Sequence, residues 1–224
     1  MKMYPVLMFL CLFCAQAHAQ EAVLLMKPGQ PRMGWTFDNG QEFPGAKGGL
    51  EVDATVRHNG QDNLKLTGDF REGGMYVQAA TGIAGLDIRE LSFWLKGLER
   101  DHVTIRVIDS NGRCHQFSLR TESTSGWQRI AFPLESYFAN QGTTAGAATS
   151  VIKYESWGGQ KEEQGWKGPA RSLVILIGPD KKAAQQIHTV WINNVTIIPK
   201  LVEEEPSASK AAGISETIRL DETI

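Results

Sequence analysis

The chain of 224 residues is short of cysteine, of basic clusters, of long apolar runs and of helical periodicity. Each shortage excludes something. Of three cysteines, Cys11 and Cys14 fall in the opening stretch and only Cys114 lies in the body, so no disulfide framework holds the fold and a hydrophobic core must. No Lys/Arg block occurs and the net charge is −2, so nucleic acid finds no electrostatic footprint and is not an expected partner. Beyond the opening stretch no apolar run approaches the ~20 residues of a membrane span. His102, His115 and His188 show no metal-ligand spacing. No serine or cysteine is placed with an evident base, and no spacing singles out the two carboxylates that glycosidases need.

The opening stretch reads as a secretory signal peptide over residues 1–19. Lys2 supplies the positive end, Tyr4 to Cys14 the apolar run, and Ala17-His-Ala19 the small-x-small cleavage site. Phe13 occupies the place where a lipoprotein signal needs a small residue before Cys14. The expected location is therefore outside the cytoplasm, secreted or periplasmic. Residues 20–34 form a leader, in which Val23 to Met26 suits an edge strand. Residues 200–224 turn to Glu, Ser, Ala and Lys and read as an acidic flexible tail or linker.

What fills the body is alternation. Leu91-Ser-Phe93-Trp-Leu95, then Val103-Thr-Ile105-Arg-Val107, then His115, Phe117 and Leu119, then Trp127 to Leu134, place apolar residues on every second position. Asp109-Ser-Asn-Gly112 separates two of these runs. Period-two alternation broken by turn residues predicts half-buried antiparallel strands sharing one apolar face. Trp35 to Asp38, Leu50 to Val56, Leu64 to Leu66, and Val190 to Ile197 extend the pattern, with His58-Asn59-Gly60 as a hairpin turn. Leu173 to Ile177 is apolar on both faces, which predicts a strand covered on both sides. The glycines of Glu42 to Gly49 imply unusual backbone angles. Strands without alternating helices predict an all-β fold, an antiparallel sandwich over residues 35–199. Cys114 points away from His115 and Phe117, as a packed thiol.

Several segments in order resemble a family. These are Phe37-Asp38, His58-Asn-Gly-x-x-Asn-Leu64-Lys-Leu66, Leu91-Ser-Phe-Trp-Leu-Lys-Gly97, Gly126-Trp-Gln-Arg-Ile-x-Phe-Pro-Leu134 and Val190-Trp-Ile-Asn-Asn-Val-Thr-Ile197. Together they resemble the galactose-binding-domain-like jelly rolls that serve as carbohydrate-binding modules beside bacterial glycoside hydrolases. The resemblance implies a jelly-roll β-sandwich that binds a polysaccharide or oligosaccharide without turning it over, alongside a catalytic partner domain or enzyme. It also implies a structural Ca2+ joining the first strand, the early hairpin and the closing strand. Asp38 matches the first-strand acid. Asn193 stands where the family often has Asp, and its neutral amide is a poorer calcium ligand.

The resemblance further implies an aromatic platform for sugar rings. Among six tryptophans, Trp35, Trp127 and Trp191 sit in or beside strands and read as core. Trp94 points to the opposite sheet face, under a loop or lining a cleft. Tyr154, Trp157 and Trp166 fall in a Gly-rich stretch, read as the longest irregular region, where loops carry binding residues or tuck rings beneath themselves. Arg106, Gln116 and Arg120 face away from the inward set as hydroxyl partners or solvated surface. Two alternatives stand beside the module. Gln186-Ile-His188 matches a short catalytic motif of jelly-roll alginate lyases, although the Arg-rich and Tyr-rich strands of that family are missing. A structural or adhesive protein of the cell surface is the other.

Overall fold

In the computed structural model, the described residues are 21–97, 102–122, 126–139, 151–160, 165–179 and 186–200. The expected signal peptide lies outside them, as does the expected acidic tail beyond Lys200. The strands, in chain order, are β1 (Val23–Leu24), β2 (Trp35–Asp38), β3 (Lys47–His58), β4 (Gln61–Asp69), β5 (Val77–Leu86) and β6 (Ile88–Lys96). They continue as β7 (His102–Asp109), β8 (Arg113–Arg120), β9 (Gln128–Phe132), β10 (Val151–Gly158), β11 (Ala170–Ile177) and β12 (Ile187–Pro199). One short helix, α1 (Leu134–Ala139), follows Pro133, and among the described residues no helix is long and apolar enough to cross a membrane.

Two antiparallel sheets of six strands pack face to face. The first runs β3-β4-β12-β6-β9, with β1 pairing beside β4 on β12; the second runs β10-β8-β7-β11-β5-β2. The all-β sandwich expected from alternation is the observed fold. The central stretch from Leu91 to Leu134, however, does not form one sheet. β6 and β9 lie in the first sheet and β7 and β8 in the second, so the chain crosses the sandwich twice. Alternation marks which side chains turn inward but is blind to which sheet receives them.

The inward set is continuous across both layers. Leu64, Leu66, Phe93, Leu95, Phe132 and Ile192 from the first sheet meet Ile105, Phe117, Leu119, Leu173 and Ile175 from the second, all at most 1 % exposed. Phe117 and Phe132 contact across the layers with ring centroids 4.8 Å apart. Truncating either to alanine removes a filled volume that costs about 3–5 kcal/mol. Hairpin β3–β4 turns as expected through Asn59 and Gly60, both with positive φ (50° and 75°).

Val174 and Leu176 are the outward residues of β11, and both are buried (6 % and 8 % exposed), which fulfils the two-sided reading of this strand. Tyr76 and Ala80 pack over them. Tyr76 is placed by two crossing loops that admit no side chain. A Cβ on Gly45 would lie 2.4 Å from the Glu72 carbonyl oxygen, and one on Gly74 would lie 2.4 Å from the Ala46 nitrogen. Both glycines have positive φ (118° and 89°), so their backbone angles and their close approach demand glycine together.

Candidate functional site: an amide and guanidinium ladder on the outer face of the second sheet

The outward residues of the second sheet assemble one row that crosses the strands. Gln78 on β5 donates to Asp38 on β2 (3.0 Å). Arg106 on β7 donates through Nη1 to the Gln78 amide oxygen (3.1 Å), reaching across β11, and through Nε to the Gln116 amide oxygen on β8 (2.8 Å). Gln116 donates in turn to Glu155 on β10 (3.1 Å), whose other oxygen receives Lys153 (2.8 Å). The register explains the row. Asp38 pairs with Gln78, and Arg106, Gln116 and Glu155 are opposed in adjacent strands. At about 4.8 Å per strand the row spans about 24 Å from β2 to β10.

Aromatic rings wall the centre of this row. The Arg106 guanidinium carbon sits 4.5 Å from the Tyr76 ring centroid and 5.5 Å from that of Trp157. Trp157 is 44 % exposed and Phe43, edge-on to Tyr76, is 46 % exposed. The Tyr76 hydroxyl donates to the Glu42 carboxylate. That bond holds Glu42 below the usual carboxylate range, while burial first and the same hydrogen bond second raise the Tyr76 phenol. Beyond Asp38 the row opens into a groove of about 740 Å³ lined by Thr36, Phe37, Asn39, Gln41 and Glu42 as well. Trp157 and Phe43 thus offer apolar ring surface beside fixed donors and acceptors, with Tyr76 buried between them and the sheet.

The structure gathers Arg106, Gln116 and Trp157 from the expected set and disperses the rest. Tyr154 and Trp157 do not lie on a loop, because residues 151–158 form β10 and the two face opposite sides. Tyr154 turns inward, its hydroxyl 2.8 Å from His115 Nδ1. Trp166 stands at the end of the sandwich, stacked on Phe138 (5.6 Å) and donating Nε1–H to Asp87 (3.3 Å). It borders a separate cavity of about 390 Å³ with Asp87, Glu135 and Lys200. Arg120 is on the ladder's face but four residues along β8 from Gln116, about 13 Å away. Trp94 lies on the other sheet, covered by His58 at 4.4 Å. Trp127 and Trp191 are also half-buried on that outer face, unlike Trp35, which is core. Tyr76, Gln78 and Glu155 complete the site and were missed, as was the place in it of Asp38 and Glu42, two acids that the sequence offers as calcium candidates. Their one sequence signal is the spacing Lys153-x-Glu155-x-Trp157 and Tyr76-x-Gln78, which is strand alternation.

Behind β10 lies a buried polar chain. Asp109 accepts from the backbone N–H groups of Asn111, Arg113 and Lys167, and faces His115 Nε2 at 3.0 Å. Burial lowers the His115 pKa despite the Asp109 charge beside it. Burial also works to raise Asp109, but the hydrogen bonds from His115, Arg113 and Lys167 outweigh it and lower the carboxyl overall. A neutral His115 thus links an ionised Asp109 to Tyr154, the ring that anchors the edge strand carrying Trp157. Cys114, outward between β7 and β10, is 7 % exposed, and burial pushes its thiol up to about 11, so it is a packed and unreactive group.

Asp38 and Asn193 do not form a calcium site together, because they face opposite outer sides of the sandwich. The Asp38 oxygens accept from Gly40 N–H (2.7 Å) and Gln78. The Asn193 amide nitrogen donates to Asn63 Oδ1 (2.7 Å) and to the Asp62 carbonyl (3.2 Å). The early hairpin and closing strand do meet at Asn193, but an NH2 group gathers the two oxygens there. Among the described residues no group of three or more His, Cys, Asp or Glu is arranged to hold a metal ion.

The fold is a two-sheet antiparallel jelly roll whose second sheet has a polar and aromatic outer surface. No family model matches the chain and no curated protein matches it. Among solved structures it is similar to a family 11 carbohydrate-binding module of a cellulosomal cellulase of Clostridium thermocellum. The TM-score is 0.54 at 15 % identity, over 83 % of this chain and 99 % of that one. An exo-β-agarase gives 0.49 at 16 % identity over 82 % of this chain and 26 % of its own length. A family 30 carbohydrate-binding module gives 0.41 at 18 % identity over 78 % and 86 %. At 15 % identity the likeness to the family 11 module establishes a shared fold.

Proposed function

We propose that the protein is a secreted, non-catalytic glycan-binding module that grips an extended oligosaccharide or polysaccharide segment along the ladder. The carrying observation is the row from Asp38 to Glu155 with the Tyr76 and Trp157 rings beside its central guanidinium. Pyranose rings present apolar C–H faces to aromatic surfaces, while their hydroxyls both donate and accept. The ladder answers both needs, since amide and guanidinium N–H groups donate and the carboxylates accept. Its hydrogen bonds to itself hold the side chains in place before a ligand arrives, which reduces the entropy lost on binding. Its length suits a chain of several sugars. A partner enzyme that acts on the same glycan fits such a module, as does the similarity to a module of a cellulase. His188, on which the lyase alternative rests, lies on β12 in the other sheet, apart from the ladder, with its ring 6.0 Å from Phe70.

Titration calorimetry against plant, algal and microbial polysaccharides, with release of reducing and unsaturated ends assayed in the same samples, tests this. Binding without product, weakened by Trp157→Ala, is the expected result. Product release would overturn the non-catalytic reading. Absence of binding to every glycan would point to the adhesive alternative.

A further inference from the structure

We infer that the ladder selects uncharged glycans and rejects uronans and sulfated chains, an inference that rests on the glycan-binding reading above. The charge pattern along the row carries it. A carboxylate closes each end, Asp38 on β2 and Glu155 on β10, and a third, Glu42, stands over Tyr76. The cations are already engaged. Lys153 is paired with Glu155, and Arg106 lies between two amide oxygens and two rings. Arg120 is on the same face but beyond the row. Counted along the row and its walls, three carboxylates face two cations.

A neutral hexose chain meets this row with hydroxyls that match the amides, the guanidinium and the carboxylates alike. A polyanion laid along the same row brings negative groups to both of its ends at once. Repulsion there acts within one Debye length, about 8 Å at physiological salt, so it is not screened away. Arg106 gives two of its five N–H groups to the amide oxygens of Gln78 and Gln116, so an anionic group there meets one partly engaged cation with a carboxylate at either end of the row. The row is therefore built to reward hydroxyls and to penalise repeated charge, the repulsive element that specificity requires.

The test compares affinities of the full chain for β-glucan, galactan, mannan and agarose with those for alginate, polygalacturonate and carrageenan, at low and at high salt. Expected is binding to at least one neutral chain that is insensitive to salt, with anionic chains at least about tenfold weaker. The double variant Asp38→Lys with Glu155→Lys is expected to raise affinity for a polyanion at low salt and to lose that gain at high salt. Wild-type affinity for a polyanion equal to or above that for every neutral chain would overturn the inference and leave the glycan reading standing. A double variant, folded by its thermal transition, that gains nothing toward polyanions would equally overturn the role of the two carboxylates. No binding to any chain of either kind would instead sink the glycan reading on which the inference depends.

Discussion

The two outer faces of the sandwich are made from similar residues and end differently. The first sheet presents Trp94, Trp127, Trp191, Asn193 and Asn63, and its own β3–β4 hairpin closes over them. His58 lies against both Trp94 and Trp127 (4.4 and 4.8 Å), Asp53 accepts from Trp191 Nε1 (2.8 Å), and Asn63 accepts from Asn193. The second sheet presents Trp157, Arg106 and two glutamines, with Tyr76 buried beside them, and among the described residues no hairpin covers Trp157, which is 44 % exposed. Aromatic and amide groups on a sheet face are thus structural or available according to what the neighbouring strands do. The irregularity in β3 between Asp53 and His58 swings the strand end over the first face, whereas β2 and β10 end at the edges of the second.

Exchanging the roles of two tryptophans tests this contrast most strongly. Trp94→Ala is expected to cost about 2–3 kcal/mol of stability, read by urea melting, and to leave glycan affinity unchanged. Trp157→Ala is expected to weaken binding by about 30-fold, about 2 kcal/mol, with the melting curve near wild type. A binding defect in the first variant and none in the second would reverse the assignment of the faces. Asn193→Asp should cost about 2 kcal/mol, because a carboxylate then faces the Asn63 and Asp62 oxygens that an NH2 group now joins. Adding calcium should restore part of that loss in the variant and leave the wild-type transition where it was in chelator. A wild-type transition raised by calcium would show that a cation, rather than the amide, makes this tie.

A smaller effect concerns the buried support of β10. His115 has its pKa lowered in the folded state, so the unfolded chain takes up a proton first as pH drops below about 6.5. Asp109, also lowered, contributes stability above its unfolded value that is lost as pH falls through its folded one. Both signs make the protein acid-labile. The wild-type melting temperature should fall between pH 7 and pH 5, and His115→Gln should flatten that slope. An equal slope in both proteins would remove His115 from the explanation. Smallest of all, Glu42→Gln preserves an acceptor for the Tyr76 hydroxyl and should change affinity for a neutral chain by no more than about threefold.

Much of this was legible in the residues. Alternation located the strands, set Phe93, Ile105 and Phe117 inward, and put Arg106 and Gln116 outward, because a side chain's facing along a strand is fixed by the pleat. The two-sided apolar run of β11 announced that something covers it. Trp157 was legible as a ring with a surface role, but the glycines after it and the small residues before it disguised a strand as a loop. Tyr76 and Gln78 carried only the sign of strand alternation, and Asp38 pointed to calcium and not to Arg106. They join Arg106 only because β11, far along the chain, inserts between β7 and β5. The expected partnership of Asp38 with Asn193 failed for the same reason, since position in the chain does not tell which side of the sandwich a strand faces.

The sequence by itself determined an all-β body and the inward and outward side of nearly every strand, both consequences of local period and turn chemistry. Tertiary structure alone decided which strands became neighbours, and so which outward residues met in one ladder and which were sealed beneath a hairpin. Pairing register and sheet membership are settled by long-range contacts, and no window of sequence contains both partners of a pair that lie a hundred residues apart.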